Sequence, residues 1–383
     1  MRQSIVISIF IGALLVTAVF GASFWYFHSL FPGADQAPLT NTPSTNVNSA
    51  VIATEPAKPK PQPSATQKNI NSTGEIPEQS PDKNPVRVIA VGDIMLGRYV
   101  ETLMKQRGLD YPFTLTSADI RGADIAFGNL EGPIPLQHAQ TPDNSLSFSF
   151  PQTTPGALPA AGFDIVSLAN NHTYDRGAAG FTETQVALEK AGLLAVGNPV
   201  QAGPEYVREM VVRDQRIVWV AFNMTSRAFN EEVAFATVRA ARNGVDDVVL
   251  VSVHWGNEYQ LQSAGFQQAA AHGFIDAGAD AVIGHHPHVV QEVEVYAGRP
   301  IFYSLGNFIF DQYFSEDVQQ GLVVEMEIFP ERVDYSLRPA QSDLSQPQFM
   351  NAADSATWLT ELAQRGDDAI AQDIAQGSLS FLR

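Results

Sequence analysis

Three observations predict an α/β layered fold. Short, almost uninterrupted apolar runs recur along the chain, helical patterns lie between them, and a polar cluster closes each run. Residues 86–91 (VRVIAV) are apolar apart from Arg87, as expected of a strand covered on both faces. Residues 125–127, 164–168 (DIVSL), 248–253 (VVLVSV) and 281–283 repeat the theme. Helical patterns over 99–106, 180–191 (GFTETQVALEKA) and 262–277 alternate with them, which favours strand–helix layering. Residues 206–213 and 216–222 read as a hairpin around Asp214-Gln215. Residues 301–305, 321–329 and 332–337 read as further antiparallel strands, so a mixed sheet is expected, with the later strands forming a second sheet. Residues 341–383 read as a polar connector followed by one amphipathic helix over 356–372.

The N-terminal part does not read as soluble fold. Residues 5–27 carry no charge, and as a helix they reach about 35 Å, enough for a bilayer core. Phe24, Trp25, Tyr26 and Phe27 close the run as an interfacial aromatic belt does. Arg2 precedes it, and Lys58 is the next base, so the N-terminus is expected in the cytoplasm and the body outside. A cleaved signal peptide is the alternative, with Gly21-Ala22-Ser23 as cleavage residues; either way the body is exported. The expected organisation is a transmembrane signal-anchor (1–31), a Pro/Ser/Thr/Asn-rich disordered linker (32–86), a body (87–340) and the C-terminal connector and helix (341–383). Ten of the 24 prolines fall in the linker, which has no sustained apolar period to offset the entropy of ordering.

Composition excludes several functions. Acids outnumber bases 41 to 23, a formal charge of -18. Residues 1–86 hold five of each, so the whole excess lies in the remaining 297. Such a body is repelled by nucleic-acid phosphates, and no nucleic acid is expected among its partners. The absence of cysteine removes disulfides, zinc fingers and thiol catalysis.

In open α/β sheets the site lies beyond the carboxyl ends of the strands. The first run ends in Gly92-Asp93-Ile94-Met95-Leu96-Gly97-Arg98. The second ends in Gly128-Asn129-Leu130-Glu131-Gly132, and the third in Ala169-Asn170-Asn171-His172, with Asp175 just beyond. The fourth ends in His254-Trp255-Gly256-Asn257-Glu258, and the fifth in Gly284-His285-His286-Pro287-His288. Five of the eight histidines fall in this set. Carboxylate, amide and neutral imidazole together suit Mn, Fe or Zn. Asp93, Glu131 and Asn171 are the oxygen candidates, and His254, His286 and His288 the nitrogen candidates. On a strand, His286 and His288 would share a face; in a loop they could serve two ions. His285 reads either as a substrate-facing or supporting residue or as a packed core histidine, and Asp175 as a hydrogen-bond partner of the loop after His172. His28, His138 and His272 stand apart from the cluster.

Seven motifs carry a family resemblance: VGDIMLGR from Val91, DYPF from Asp110, ADIAFGNLEGPI from Ala123, FDIVSLANNHTYDRG from Phe163, VSVHWGNEY from Val251, GADAVIGHHPHVVQ from Gly278 and YSLGNFIFDQ from Tyr303. Together they resemble the CapA family of poly-γ-glutamate capsule synthesis proteins. The resemblance implies a fold like that of calcineurin-like metallophosphoesterases, an α+β four-layer β-sandwich flanked by helices, with two divalent ions, Mn or Fe rather than Zn. It implies Asp93, Asn171, His254, His286 and His288 as ligands, Glu131 as a bridging acid, and His172 as general acid or transition-state stabiliser. Arg98, Asn129, Asp175, Glu258 and His285 are assigned to substrate binding or to support of the ligands. The sequence departs from the phosphoesterase pattern at Met95, where a ligand histidine is usual, and at Asn129, where an aspartate is usual.

Two functional classes follow. One is an exported, membrane-tethered metallohydrolase or transferase acting on an anionic polymer or phosphoester in capsule or envelope synthesis. The other is a non-catalytic polymer-binding or export subunit working with other capsule synthesis proteins. Because an acidic body repels polyglutamate, contact with carboxylates is expected through metal or through Arg98 and Arg176. A paired-carboxylate glycosidase has no use for a histidine cluster.

Overall fold

The computed structural model describes residues 84–383. The expected membrane segment and most of the expected linker lie outside the described residues. Among the described residues, no helix is long and apolar enough to cross a membrane.

The chain first lays down four strands, β1 (Val86–Ile94), β2 (Ile125–Leu130), β3 (Ile165–Ser167) and β4 (Leu194–Val196). Between them stand helices α1 (Arg98–Arg107), α2 (Ser117–Gly122), α3 (Thr154–Ala161) and α4 (Gly177–Lys190). It then builds a second sheet from β5 (Arg208–Val212), β6 (Gln215–Asn223), β7 (Val248–His254), β8 (Ala281–His285), β9 (Val293–Tyr296) and β10 (Arg299–Phe302). Helices α5 (Glu231–Ala241) and α6 (Gly265–Asp276) cross between β6, β7 and β8. Finally it returns to the first sheet with β11 (Asn307–Ile309), β12 (Gln320–Ile328), β13 (Arg332–Asp343), β14 (Gln346–Phe349) and β15 (Ser378–Leu382). The first sheet runs β14-β13-β12-β1-β2-β3-β4, with β11 on β1 and β15 on β13; the second runs β5-β6-β7-β8-β10-β9.

This corrects the expectation that the later strands make a second sheet. The middle strands do so, and β12 comes back antiparallel to β1. The hairpin turns on Arg213-Asp214, both with positive φ (48° and 66°), as a two-residue turn between twisted strands requires, so β6 starts at Gln215. The single helix expected over 356–372 is two, α7 (Ala352–Ala363) and α8 (Ala371–Ala375), broken around Gly366. At Gly366 an added Cβ would lie 2.6 Å from the Val293 carbonyl, so the chain presses on β9 there. The expected polar connector is the end of β13 and then β14, and the chain closes with β15 on β13.

Side-chain alternation explains the unbroken apolar runs. On β1, Val88 and Ala90 enter the cluster between the sheets, while Ile89 and Val91 enter the cluster shared with α1, α3 and α4. On β7, Val248 and Leu250 face the inter-sheet cluster, and Val249, Val251 and Val253 face α5 and α6. Both faces are dry, so polar alternation is not tolerated. Four layers result: helices, sheet, sheet, helices. Phe127 of β2 and Trp219 of β6 stack at 4.3 Å and 12° across the interior, and α7 and α8 add Trp358, Leu362 and Ile374 to the same cluster.

Two glycines fix how the strand ends meet. A Cβ on Gly92 would sit 2.0 Å from the Gly306 carbonyl oxygen, and one on Gly284 would sit 1.9 Å from that of Tyr303. The segment between β10 and β11 thus runs directly against both sheets. It accepts from the Asp93 amide at Gly306 (3.0 Å) and donates from the Leu305 amide to Gly284 (3.0 Å). Asp93 and His285, the residues after these glycines, are thereby placed side by side although they belong to different sheets.

Candidate metal centre

The carboxyl ends of β1, β2, β3, β7 and β8 converge. Asp93 and Glu131 are fully buried, and His254, His285, His286 and His288 are at most 8% exposed. The β1 register shifts on either side of Asp93, a bulge that re-aims the strand end. Beyond β8 the chain is a loop, not a strand, with His286 at φ 97° and His288 at φ 60°. Left-handed backbone at two imidazoles flanking a proline is held by its surroundings: the His286 amide donates to Asp93 Oδ2 (3.2 Å), and the Tyr259 amide donates to the Pro287 carbonyl (2.8 Å).

Polar atoms crowd the pocket. Asn129 Nδ2 donates to Asp93 Oδ1 (2.8 Å) and lies 3.2 Å from His254 Nδ1. His254 Nε2 meets Asn171 Oδ1 at 2.8 Å. His288 Nδ1 is 3.0 Å from Asn307 Oδ1 and 3.5 Å from Asp93 Oδ2, and its Nε2 is 3.9 Å from Glu131 Oε1. His285 Nδ1 lies 3.2 Å from Asp93 Oδ1 but off hydrogen-bond geometry, and neither of its ring nitrogens has a hydrogen-bond partner. Both carboxylate oxygens of Glu131 and the Nδ1 of His286 are likewise buried without one. A buried carboxylate with no donor costs several kcal/mol unless something supplies positive charge. Two ligand-sized groups stand here, Asp93 with Glu131 and His254, and Glu258 with His286 and His288; the donor atoms within each lie within 4.8 Å of one another. Oxygen and imidazole donors in this number fit a transition-metal ion.

The electrostatics are strained in opposite senses. Burial would raise the Asp93 carboxyl, but the adjacent His285 and His288 outweigh it and hold the group well below the ordinary carboxylate range. Burial, and next the Asp93 charge, push Glu131 well above it. Burial and then His286 hold His254 well below the usual imidazole value, and burial and then His288 lower His286 to about 4. His288 goes the other way, to about 9, because Glu131 and Asp93 overcome its burial. Burial and neighbouring charge thus favour the protonated forms of Glu131 and His288 and the proton-free forms of Asp93, His254 and His286, so ligation requires the first two to lose their protons.

His172 sits at the edge of this pocket. Its Nδ1–H donates to Asp175 Oδ2 (2.8 Å), which fixes the tautomer and leaves Nε2 3.8 Å from Glu131 Oε1. Phe148 stacks on the ring at 4.0 Å and 27°, and its amide also donates to Asp175. Arg98, assigned to substrate binding or to support of the ligands, is buried. It pairs with Asp311, donates to the Ser145 carbonyl (3.0 Å), and lies over the Phe148 and Phe310 rings. Arg176 is partly exposed and donates to Ser147 Oγ (2.6 Å).

Sequence reasoning did not single out Asn307, Asn170, Asp311 or Phe148. Asn170 accepts from the His172 amide (3.2 Å) and from Thr173, and donates to Asn129 Oδ1 (3.0 Å), bracing the loop that carries Asn171. A second asparagine beside Asn171 was the available signal. Asn307 and Asp311 stood inside the YSLGNFIFDQ motif, but their contacts with His288 and Arg98 join residues far apart in sequence.

Comparison with known proteins fits this picture. Residues 87–312 match the model of a family described as bacterial capsule synthesis protein PGA_cap. The chain is 35% identical over 271 residues to the capsule biosynthesis protein CapA of Bacillus anthracis, covering 64% of this chain and 65% of that one. It is 31% identical over 249 residues to the PGA biosynthesis protein CapA of Bacillus subtilis, covering 61% and 65%. The match thus spans 65% of the length of these relatives. Among solved structures, a purple acid phosphatase from yellow lupin seeds aligns over 70% of this chain and 53% of its own, at 10% identity and a TM-score of 0.34, too low to bear on fold or activity. The family match takes in all five converging strand ends, and the chain belongs to the bacterial capsule synthesis protein family.

Proposed function

We propose that this protein is a membrane-tethered, exported hydrolase of capsule or envelope polymer synthesis, built on a metallophosphoesterase-like sandwich. Its anchor is residues 5–27, with the N-terminus in the cytoplasm. Its centre takes two divalent ions, Mn or Fe, on Asp93, Glu131, Asn171, His254, His286 and His288. Its substrate is an anionic polymer of the polyglutamate kind, or a phosphoester met in making one, and other capsule synthesis proteins are its partners. One observation supports this above the rest: Glu131 is fully buried with both oxygens unpartnered, beside imidazoles from the other sheet.

A bound divalent ion supplies Lewis acidity and an activated water at neutral pH. The chain's own residues do the rest. Asn129 and the His286 amide hold Asp93 in place. Asp175 and Phe148 pin the His172 ring so that Nε2 faces the pocket, where a protonated imidazole can donate to the leaving group. Arg98 is neutralised by Asp311 and does not compete for substrate charge.

Elemental analysis of the full chain purified in detergent tests the centre, with hydrolysis of an aryl phosphodiester and of polyglutamate as the activity readout. Metal that vanishes in His254→Ala and His286→Ala supports the site. Metal without turnover on any substrate leaves a polymer-holding pocket in an export complex. Protease added to intact spheroplasts should remove the body; protection until lysis would overturn the topology.

A further inference from the structure

The two ligand groups are not alike. Asp93, Glu131 and His254 are all buried, whereas the second group joins buried His286 and His288 to Glu258, an exposed residue. His286 is 8% exposed, and its Nδ1 has no hydrogen-bond partner. Glu258 sits on the loop after β7, and that loop is tied to the histidine turn. The Tyr259 amide donates to the Pro287 carbonyl (2.8 Å), and the Tyr259 ring lies 6.0 Å from that of His288. Tyr259 holds φ 63°, and Gly256 holds φ 91° three residues earlier. Strained backbone at a bulky residue is kept where the surroundings require one placement. Here that placement brings the Glu258 carboxylate to the two imidazoles. Met95, at the first strand end, offers no nitrogen or carboxylate donor and is fully buried.

Resting on the metal reading above, we propose that the centre has two unequal cation sites: a closed one at Asp93, Glu131 and His254, and an open one whose exchangeable ligand is Glu258. The open site takes its charge from a residue in contact with solvent. A carboxylate there can be solvated when the ion leaves, or displaced by an anionic substrate, at little cost to the fold. The closed site has no such escape, because releasing its ion leaves Glu131 buried and unpartnered. Affinity therefore differs between the sites through burial and ligand access, in addition to the two carboxylates of the closed site against the one of the open site.

Titration of the chelator-stripped full chain in detergent with MnCl2 tests this, read by calorimetry and by metal content after desalting. The wild type should bind in two steps and keep only the first ion through desalting. Glu258→Gln should leave the first step unchanged and weaken the second by about 10- to 100-fold. Glu258→Asp should recover part of that loss. The metal-free melting temperature of both variants should match the wild type, since the residue is exposed. A second step unaltered in Glu258→Gln, or a wild type that saturates at one ion, would overturn the proposal while leaving a metal centre. No uptake by the wild type would overturn the metal reading itself and this inference with it.

Discussion

Acids stand at both ends of the parallel strands, and the two rows are treated in opposite ways. At the amino ends, Asp124, Asp164, Asp247 and Asp280 each precede a strand. Asp124 accepts from the Arg87 amide (2.9 Å) and from Arg213; Asp164 accepts from the Ala126 amide (2.9 Å). Asp280 accepts from the Val249 amide (2.8 Å) and pairs with Arg242 and Arg299. Each of these three staples its strand to a neighbour. At the carboxyl ends, Asp93 takes the Asn129 side-chain amide and the His286 N–H beside its histidines, whereas Glu131 accepts no hydrogen bond, its nearest imidazole nitrogens standing 3.8 and 3.9 Å away. Asp247 and Asp280 are buried like the carboxyl-end acids, at 8% and 7% exposure, so burial alone does not separate structure from chemistry. What sets Glu131 apart is that no hydrogen-bond donor answers its carboxylate. An unanswered buried acid is a standing cost, consistent with a group kept for a ligand.

The largest effects should come from breaking the carboxyl-end row. Glu131→Ala should lose metal and turnover together, while His172→Ala should keep metal and lose about 10²–10⁴-fold in rate, the span of a general acid. Metal content and phosphodiester hydrolysis measured on the same preparations separate the two. Full activity in His172→Ala would remove that histidine from the chemistry without touching the centre.

Substitutions of similar chemistry in the two rows should move stability in opposite directions. Asp280→Ala removes the ion-pair partner of Arg242 and Arg299 and the acceptor of the Val249 amide, and should cost about 2–3 kcal/mol, with metal content unchanged. Glu131→Met fills the same volume without the unpartnered carboxylate, and should raise the metal-free stability by about 1 kcal/mol while abolishing uptake. Urea unfolding of the chelated proteins checks both signs. A destabilised Glu131→Met would mean that the carboxylate is answered by something other than an ion.

Much of the carboxyl-end row was legible in sequence, and little of the amino-end row was. The reason is physical. Strands dry on both faces write an unbroken apolar run, so the first polar residues after it mark where the sheet opens, as at Asp93 and His254. The partners of Asp280 and Asp124 come from other elements, and nothing local announces them. The same blindness hid the pairing of Arg98 with Asp311, which makes Arg98 a buried brace. It also misplaced β12 and β13, whose alternation fits either sheet. The helix break at Gly366 depends on the approach of β9, and β15 (SLSFL) is too short and polar to read as a strand before β13 is known to lie beside it.

The smallest expected effect is the sharpest test of the amino-end row, because it has a pH signature. Asp247 leads into β7 and takes the amides of Asn243 (2.7 Å) and Gly244 (2.9 Å), with Arg216 Nη1 at 2.7 Å. Burial opposes its ionisation, but the amides and then Arg216 outweigh burial and hold the carboxyl below its ordinary value. A carboxyl depressed on folding contributes stability that is complete above its unfolded pKa, about 3.9, and is lost as pH falls through the folded value. Asp247→Asn should therefore cost about 1 kcal/mol at pH 7, as a lower urea midpoint. That difference should shrink as pH is taken below 4, where the wild type loses the same charge. A gap between the two proteins that stays constant from pH 7 to pH 3 would show that Asp247 acts by shape alone, and would break the division between answered and unanswered acids at its weakest member.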